Sequence, residues 1–143
     1  MAVLRVIPAL INKVHEEEVL LDSGSQIISM SREAVSTYKI TWDPELTINM
    51  QSMNRQIMKT CGLAKNIHFN FGNITIYLQV HVMEQAPYRV LLDRPFDVIT
   101  KSRISNSTER YQFISITDPN TGEHTLLSTY PQGCLPCMQE VNF

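Results

Sequence analysis

The sequence predicts a single, mainly β domain with two short helices. Short apolar or alternating runs separated by turn residues recur along the chain, whereas only two segments have the start signals of a helix. The 143 residues have the length of one domain, and an apolar content of 43% is enough for an ordinary core. We predict a domain over residues 1–130 and a flexible C-terminal tail over residues 131–143.

The first two predicted strands form a hairpin over residues 3–14 and 17–22. The turn between them lies either at Asn12-Lys13 or at His15-Glu16-Glu17. The second strand ends in Leu20-Leu21-Asp22-Ser23-Gly24-Ser25, where an apolar run stops at an acid and glycine permits a sharp turn. A carboxylate at the end of a strand can be held by backbone amides as a catalytic acid, although Asp-Ser-Gly is also a common turn.

The middle of the chain predicts one helix and one hairpin. Ser31 can cap a helix over residues 31–38, after a short β-branched run. Residues 46–60 alternate between apolar and polar around a polar centre, which predicts a hairpin with one polar face. Its methionines suit either a surface that adapts to an apolar ligand or an irregular core.

The clearest hairpin spans residues 63–71 and 74–83, with a turn at Gly72-Asn73. We interpret His68 and His81 within it as surface or satisfied core residues and not as ligands.

The rest of the chain predicts three strands and the second helix. Val90-Leu91-Leu92 is typical of a buried strand, and Pro95 favours the first turn of a short helix. A last hairpin is predicted over residues 111–117 and 123–127, around the turn at 118–122.

Charge and cysteine content exclude several classes of partner. The net charge is −2, and no segment concentrates Lys and Arg with aromatic residues, so neither nucleic acid nor a membrane is an expected partner. No secretion signal or long apolar run is recognisable, so we expect a cytoplasmic protein. Three cysteines fit a reducing compartment. Cys134 and Cys137 could supply two zinc ligands or a redox pair, but the histidines are scattered, and we expect no metal and no cofactor.

Two motifs in this order resemble a known family. The first is the apolar-Asp-Ser-Gly sequence at Asp22, and the second, much later in the chain, is Val90-Leu91-Leu92-Asp93-Arg94-Pro95-Phe96. The pairing resembles retropepsin-like aspartic proteases of retroviruses and gypsy-type retrotransposons, and it covers about residues 3–100. The resemblance implies a closed, barrel-like acid protease lobe, with the hairpin at 46–60 in the place of the flap that covers the substrate.

The resemblance also implies an activity and a partner. The chain would be an aspartic endopeptidase that hydrolyses peptide bonds in a retrotransposon-type polyprotein. Because it has one Asp-Ser-Gly sequence, it would act as a homodimer in which two Asp22 carboxylates share a proton and activate a water. An extended peptide would bind under the flap as an added strand. The supporting and flap residues implied by the resemblance are Ser23, Gly24, Ser25, Arg94, Gln51, Ser52, Met53 and Asn54.

Three positions depart from the family pattern. Asp93 stands where the family has glycine, so it either forces the catalytic loop apart or adds a negative charge near the dyad, and we expect reduced activity. The flap tip lacks glycine, and Gln26 stands where some relatives have an acid. Two alternatives stay open: a retropepsin-fold dimer that binds peptides or assembles without cleaving, and an unrelated small barrel with Asp22 merely in a turn.

Overall fold

The computed structural model describes residues 5–22, 27–51, 57–86, 88–106 and 112–131. Within these ranges it contains eleven strands and two helices. In chain order they are β1 (Arg5–Ile11), β2 (His15–Leu21), β3 (Ser29–Ser31), α1 (Arg32–Thr37), β4 (Asn49–Gln51), β5 (Ile57–Lys59), β6 (Gly62–Phe71), β7 (Ile74–Met83), β8 (Val90–Leu92), α2 (Arg94–Thr100), β9 (Arg103–Asn106), β10 (Gln112–Thr117) and β11 (His124–Pro131). None of the described helices is long and apolar enough to cross a membrane.

Six strands close into a barrel. The order β2-β8-β3-β7-β6-β1 is closed because β1 also pairs with β2, and β11, β10 and β9 extend the sheet outward from β1. The pairs β2–β8 and β3–β7 are parallel, and the other pairs of the barrel are antiparallel. The predicted fold class, a mainly β chain with a closed barrel and two short helices, is confirmed.

The first hairpin turns at Asn12-Lys13, the first of the two predicted positions. Both residues have positive φ, 52° and 65°, which suits a tight turn between twisted strands. His15 already pairs with Ile11 in the ladder, so the alternative turn at residues 15–17 is wrong.

The core fills the barrel from the alternating strands. In β7 every second side chain from Ile74 to Val82 is buried, as the sequence pattern predicts. The ring of Phe71 lies 5.9 Å from that of Phe69 and 5.4 Å from that of Phe96, so aromatic contacts fasten α2 to the barrel.

His68 and His81 differ in one respect from their predicted roles as surface or satisfied core residues. Both are half-buried, and the Nδ1 atom of each is buried without a hydrogen-bond partner among the described residues. Burial lowers the pKa of His81 because the charged ring is poorly solvated there.

Both helices lie close to their predicted positions. The Ser31 hydroxyl caps α1 by accepting a hydrogen bond from the Ala34 amide at 3.1 Å. Helix α2 begins at Arg94, so Pro95 lies in its first turn, where its missing N–H costs no helical hydrogen bond.

The C-terminal strands extend further than the sequence predicts. β9 was not predicted, because all four of its residues are exposed and carry no alternation; it forms by pairing with β10. β11 continues to Pro131, opposite Arg5 of β1, and the Arg5 guanidinium donates to the hydroxyl and carbonyl of Thr129 at 2.9 and 2.8 Å. Residues 132–143 lie outside the described residues, so the flexible tail stays a prediction.

Candidate active site

The two motifs lie side by side in the barrel. Leu20 and Leu21 of β2 pair with Leu91 and Leu92 of β8 in a parallel register. The amide of Asp22 continues this ladder by donating to the Leu92 carbonyl at 2.9 Å. Asp22 and Asp93 therefore follow two adjacent strands at the same end, where strand spacing places their backbones about 5 Å apart.

Strand alternation assigns both acids to one face of the sheet. Leu92 belongs to the barrel core, whereas Leu20 and Leu91 join Val6 in a second cluster, flanked by half-buried Tyr88 and Tyr130. We call these five residues the outer cluster. Because side chains alternate, Asp22 and Asp93 lie two positions beyond Leu20 and Leu91 on the face of the outer cluster.

Asp93 is accommodated as a buried residue. Only 1% of it is exposed, and its carbonyl accepts the amides of Phe96 at 3.0 Å and Asp97 at 3.1 Å, which begins α2. Its side chain does not cap the helix. Asp93 follows the strand beside that of Asp22, and the expected effect of its charge on the dyad stays a prediction. The other expected effect, a displaced catalytic loop, concerns residues 23–26, including Ser23, Gly24, Ser25 and Gln26, which lie outside the described residues.

Tyr88 and Ser29 form a hydroxyl pair on this face. Their oxygens are 2.8 Å apart, and Ser29 is completely buried. Burial raises the pKa of the Tyr88 phenol, the Ser29 hydrogen bond lowers it, and the nearby charges of Asp93 and Asp22 raise it further. The phenol is therefore neutral at ordinary pH and lies within electrostatic reach of both acids. The sequence does not predict this pair, because the contact joins residues that are distant in the chain and that belong to no recognised motif.

An ion-pair network holds the segment that carries Tyr88. Arg89 donates to Glu17 at 2.9 Å and to Glu33 at 2.8 Å, and its guanidinium lies 5.8 Å from the ring centre of Tyr38. The Tyr38 hydroxyl donates to Glu17, and burial together with that carboxylate raises the pKa of Tyr38. The Arg89 guanidinium thus links strand β2 and helix α1 to the segment that precedes β8.

Arg94 is exposed at the first position of α2. No hydrogen bond or ion pair joins its side chain to another described residue of the chain. Its role in bracing the catalytic loop, which the family resemblance implies, stays a prediction.

The predicted flap is a separate two-stranded sheet. Met50 of β4 pairs with Met58 of β5, and Thr60 anchors the hairpin to Ile48 through bonds of 2.9 and 3.0 Å. Ile57 is 72% exposed, and neither methionine of the pair belongs to the barrel core, which favours the adaptable surface over the irregular core. Gln51 ends β4, whereas the remaining flap residues, Ser52, Met53 and Asn54, lie outside the described residues.

The described ranges contain no group of three His, Cys, Asp or Glu side chains arranged to hold a metal ion, and the absence of a metal stays a prediction. Cys61 is a free thiol that contacts Glu84 at 3.6 Å, while Cys134 and Cys137 fall outside the described ranges.

Comparison with known proteins identifies the fold. The retroviral protease-like domain of Ddi1 from Leishmania major superimposes with a TM-score of 0.67 at 14% identity, covering 94% of this chain and 100% of that domain. The chain has a retropepsin-like fold. The alternative of an unrelated small barrel is therefore wrong. The solution structure of simian foamy virus (mac) protease is similar with a TM-score of 0.45 at 17% identity, covering 65% of this chain and 91% of that one. No family model and no curated protein matches the chain.

Proposed function

We propose that the chain is an aspartic endopeptidase domain that acts as a homodimer on extended peptides of a retrotransposon-type polyprotein. The observation that carries the proposal is the position of Asp22. It follows a barrel strand in a retropepsin-like fold, directly beside the strand of the second motif. The chain therefore combines the Asp-Ser-Gly sequence with the fold that the family resemblance implies.

The chemistry requires a second copy of the chain. Each chain has one Asp-Ser-Gly sequence, so the dyad consists of Asp22 from one subunit and Asp22 from its partner. Two carboxyl groups about 3 Å apart share one proton because both cannot ionise easily. The ionised group takes a proton from water as the water attacks the peptide carbonyl, and the protonated group donates to the carbonyl oxygen. The resulting diol then collapses: its C–N bond breaks, the dyad gives a proton to the leaving nitrogen and takes one back from a hydroxyl of the diol.

The flap hairpin and a cavity at Tyr88 support a peptide as substrate. Exposed Ile48, Ile57 and Met58 give the hairpin apolar side chains that can cover an extended peptide. A cavity of about 420 Å³ beside Tyr88 and Arg89 is large enough for one substrate side chain.

Asp93 favours a second candidate, a dimer of the same fold that binds peptides or assembles without cleaving them. Its buried acidic group lies beside Asp22, so a dimer would bring four such groups to one axis. If Asp93 ionises, the repulsion opposes the charge that the dyad needs.

Proteolysis of a peptide library tests the first candidate. We expect the purified chain to cleave at about pH 4 to 6, to be inhibited by a statine-type compound, and to lose activity in Asp22→Asn, which preserves the shape of the side chain. Activity per mole should fall on dilution, because a monomer has half of the site. Absence of inhibitor-sensitive cleavage from both the wild-type protein and Asp93→Gly would favour the binding module instead.

A further inference from the structure

We propose that the outer face of helix α2 forms part of the homodimer interface, where a second copy of this chain covers an apolar groove along Pro95, Val98 and Ile99. The inference rests on the proposed function, because the acidic dyad is incomplete without a second copy. It adds which surface of the chain holds that copy in place.

The groove, called the α2 groove below, consists of one side of a short helix. Pro95, Val98 and Ile99 are three and four residues apart, so they lie on the same side of α2. Together with Arg94, they line a cavity of about 480 Å³ among the described residues. Phe96 lies on the opposite side and is fully buried. Helix α2 therefore packs on the barrel with one face and presents an apolar surface with the other.

The side chains of the α2 groove are open to solvent in the single chain. Val98 is 71% exposed and Ile99 is 41% exposed. Apolar side chains that stand together and line a cavity are typical of a surface that another molecule covers.

The α2 groove lies close to the point through which the twofold axis of the dimer must pass. Asp93 is the residue directly before α2, and its backbone is about 5 Å from that of Asp22 on the adjacent strand. Val98 is four residues beyond Arg94, which is about 6 Å along the helix. The backbone of Val98 is therefore within about 15 Å of that of Asp22.

A stable interface is wide enough to include the α2 groove. Such an interface covers about 800 Å² of each partner, which corresponds to a disc with a radius of about 16 Å. Because the dyad puts the axis at Asp22, a disc of this size extends over α2. The position of the groove thus favours a second copy as its occupant, and a different protein bound there would compete with the dimer.

A charge placed in the groove should weaken the dimer twice over. A twofold interface uses the same surface of both subunits, so each dimer contains two copies of Val98. A charge at this position would either be buried without a partner or hold the two surfaces apart. We expect the dissociation constant of the dimer to rise by at least about 10-fold for a charge of either sign.

Sedimentation velocity of the full chain over a range of concentrations measures that constant for the wild type, Val98→Glu and Val98→Lys. Val14→Glu and Val14→Lys are the matched controls. Val14 is 69% exposed at the turn between β1 and β2, eight residues or about 26 Å along the strand from Asp22. We expect both Val98 variants to weaken the dimer and both Val14 variants to match the wild type. If the charged Val98 variants fail to fold, Val98→Ala decides, with an expected rise of about 3-fold.

Dissociation constants of the Val98 variants that equal the wild-type value would overturn the inference and leave the proposed function in place. A wild type that dimerises, is weakened only by the Val98 variants and cleaves no peptide would support the inference and count against the proposed function. A wild type that stays monomeric at every concentration would contradict both, because neither a second Asp22 nor a second α2 groove would then be present.

Discussion

Replacing Asp93 by glycine should increase proteolysis, because the change removes an acidic group from the edge of the dyad. The two acids follow adjacent strands, which places their backbones about 5 Å apart. At an effective dielectric constant of about 20, two unit charges about 5 Å apart would repel by about 3 kcal/mol. If Asp93 is ionised at the working pH, its removal should therefore raise kcat/KM by about 10- to 100-fold.

The stability effect of the same substitution should be small. Glycine gives the unfolded chain more conformational freedom, which lowers the free energy of unfolding by about 0.5–1 kcal/mol. Removal of a buried acidic group relieves a desolvation cost of similar size. No side-chain cap of α2 is lost. We expect the free energy of unfolding in urea to change by less than about 1 kcal/mol.

The assay compares cleavage of one peptide by the wild type, Asp93→Gly and Asp93→Asn across pH. Asp93→Asn separates the two expected effects, because it removes the charge and keeps the bulk. Glu45→Gln, on an exposed residue, controls for net charge. Equal cleavage rates in the wild type and Asp93→Gly would refute the electrostatic reasoning, whereas a rise in Asp93→Gly alone would assign the inhibition to bulk.

Three further predictions concern the framework of the site. Arg89→Met should lower the free energy of unfolding by about 1 kcal/mol, because it breaks two ion pairs, of which only the one with Glu17 has a well-buried acid. Glu33→Gln, at the exposed end of the network, should lower it by less than about 0.5 kcal/mol. Urea unfolding measures both variants. Burial lowers the pKa of His81, so the unfolded chain binds the proton more readily and stability should fall as pH drops below about 6.5. His81→Leu should flatten this dependence of stability on pH, whereas the control variant His124→Gln, at an exposed histidine, should leave it unchanged. Equal slopes of stability against pH in His81→Leu and the wild type would exclude His81 as the cause. Phe96→Ala should cost about 3–5 kcal/mol in thermal unfolding because the ring is fully buried between α2 and the barrel, and a loss below about 1 kcal/mol would contradict that packing.

Local patterns in the sequence predicted much of the fold. The alternation of β7, the Ser31 cap and the turn residues act over a few positions, so each can be seen in a short window of sequence. The adjacency of Asp22 and Asp93 was predicted only through the family resemblance, because a parallel pairing between distant strands has no local signal.

The parts that sequence analysis missed depend on non-local contacts. Strand β9 is exposed and exists because β10 is beside it. Arg89 bonds to residues that are far away in the chain, and Tyr88 finds Ser29 only when β3 and β8 are paired. The sequence around Tyr88 and Arg89 has the composition of a polar loop, so it does not indicate these contacts.

The separation of the two Asp22 carboxyl groups in a crystal structure of the chain tests the central claim most directly. Shared-proton catalysis predicts a twofold dimer in which these groups are about 3 Å apart across the axis. A stable monomer in solution, or a dimer that holds them more than about 8 Å apart, would contradict it, because no water could then contact both carboxyl groups.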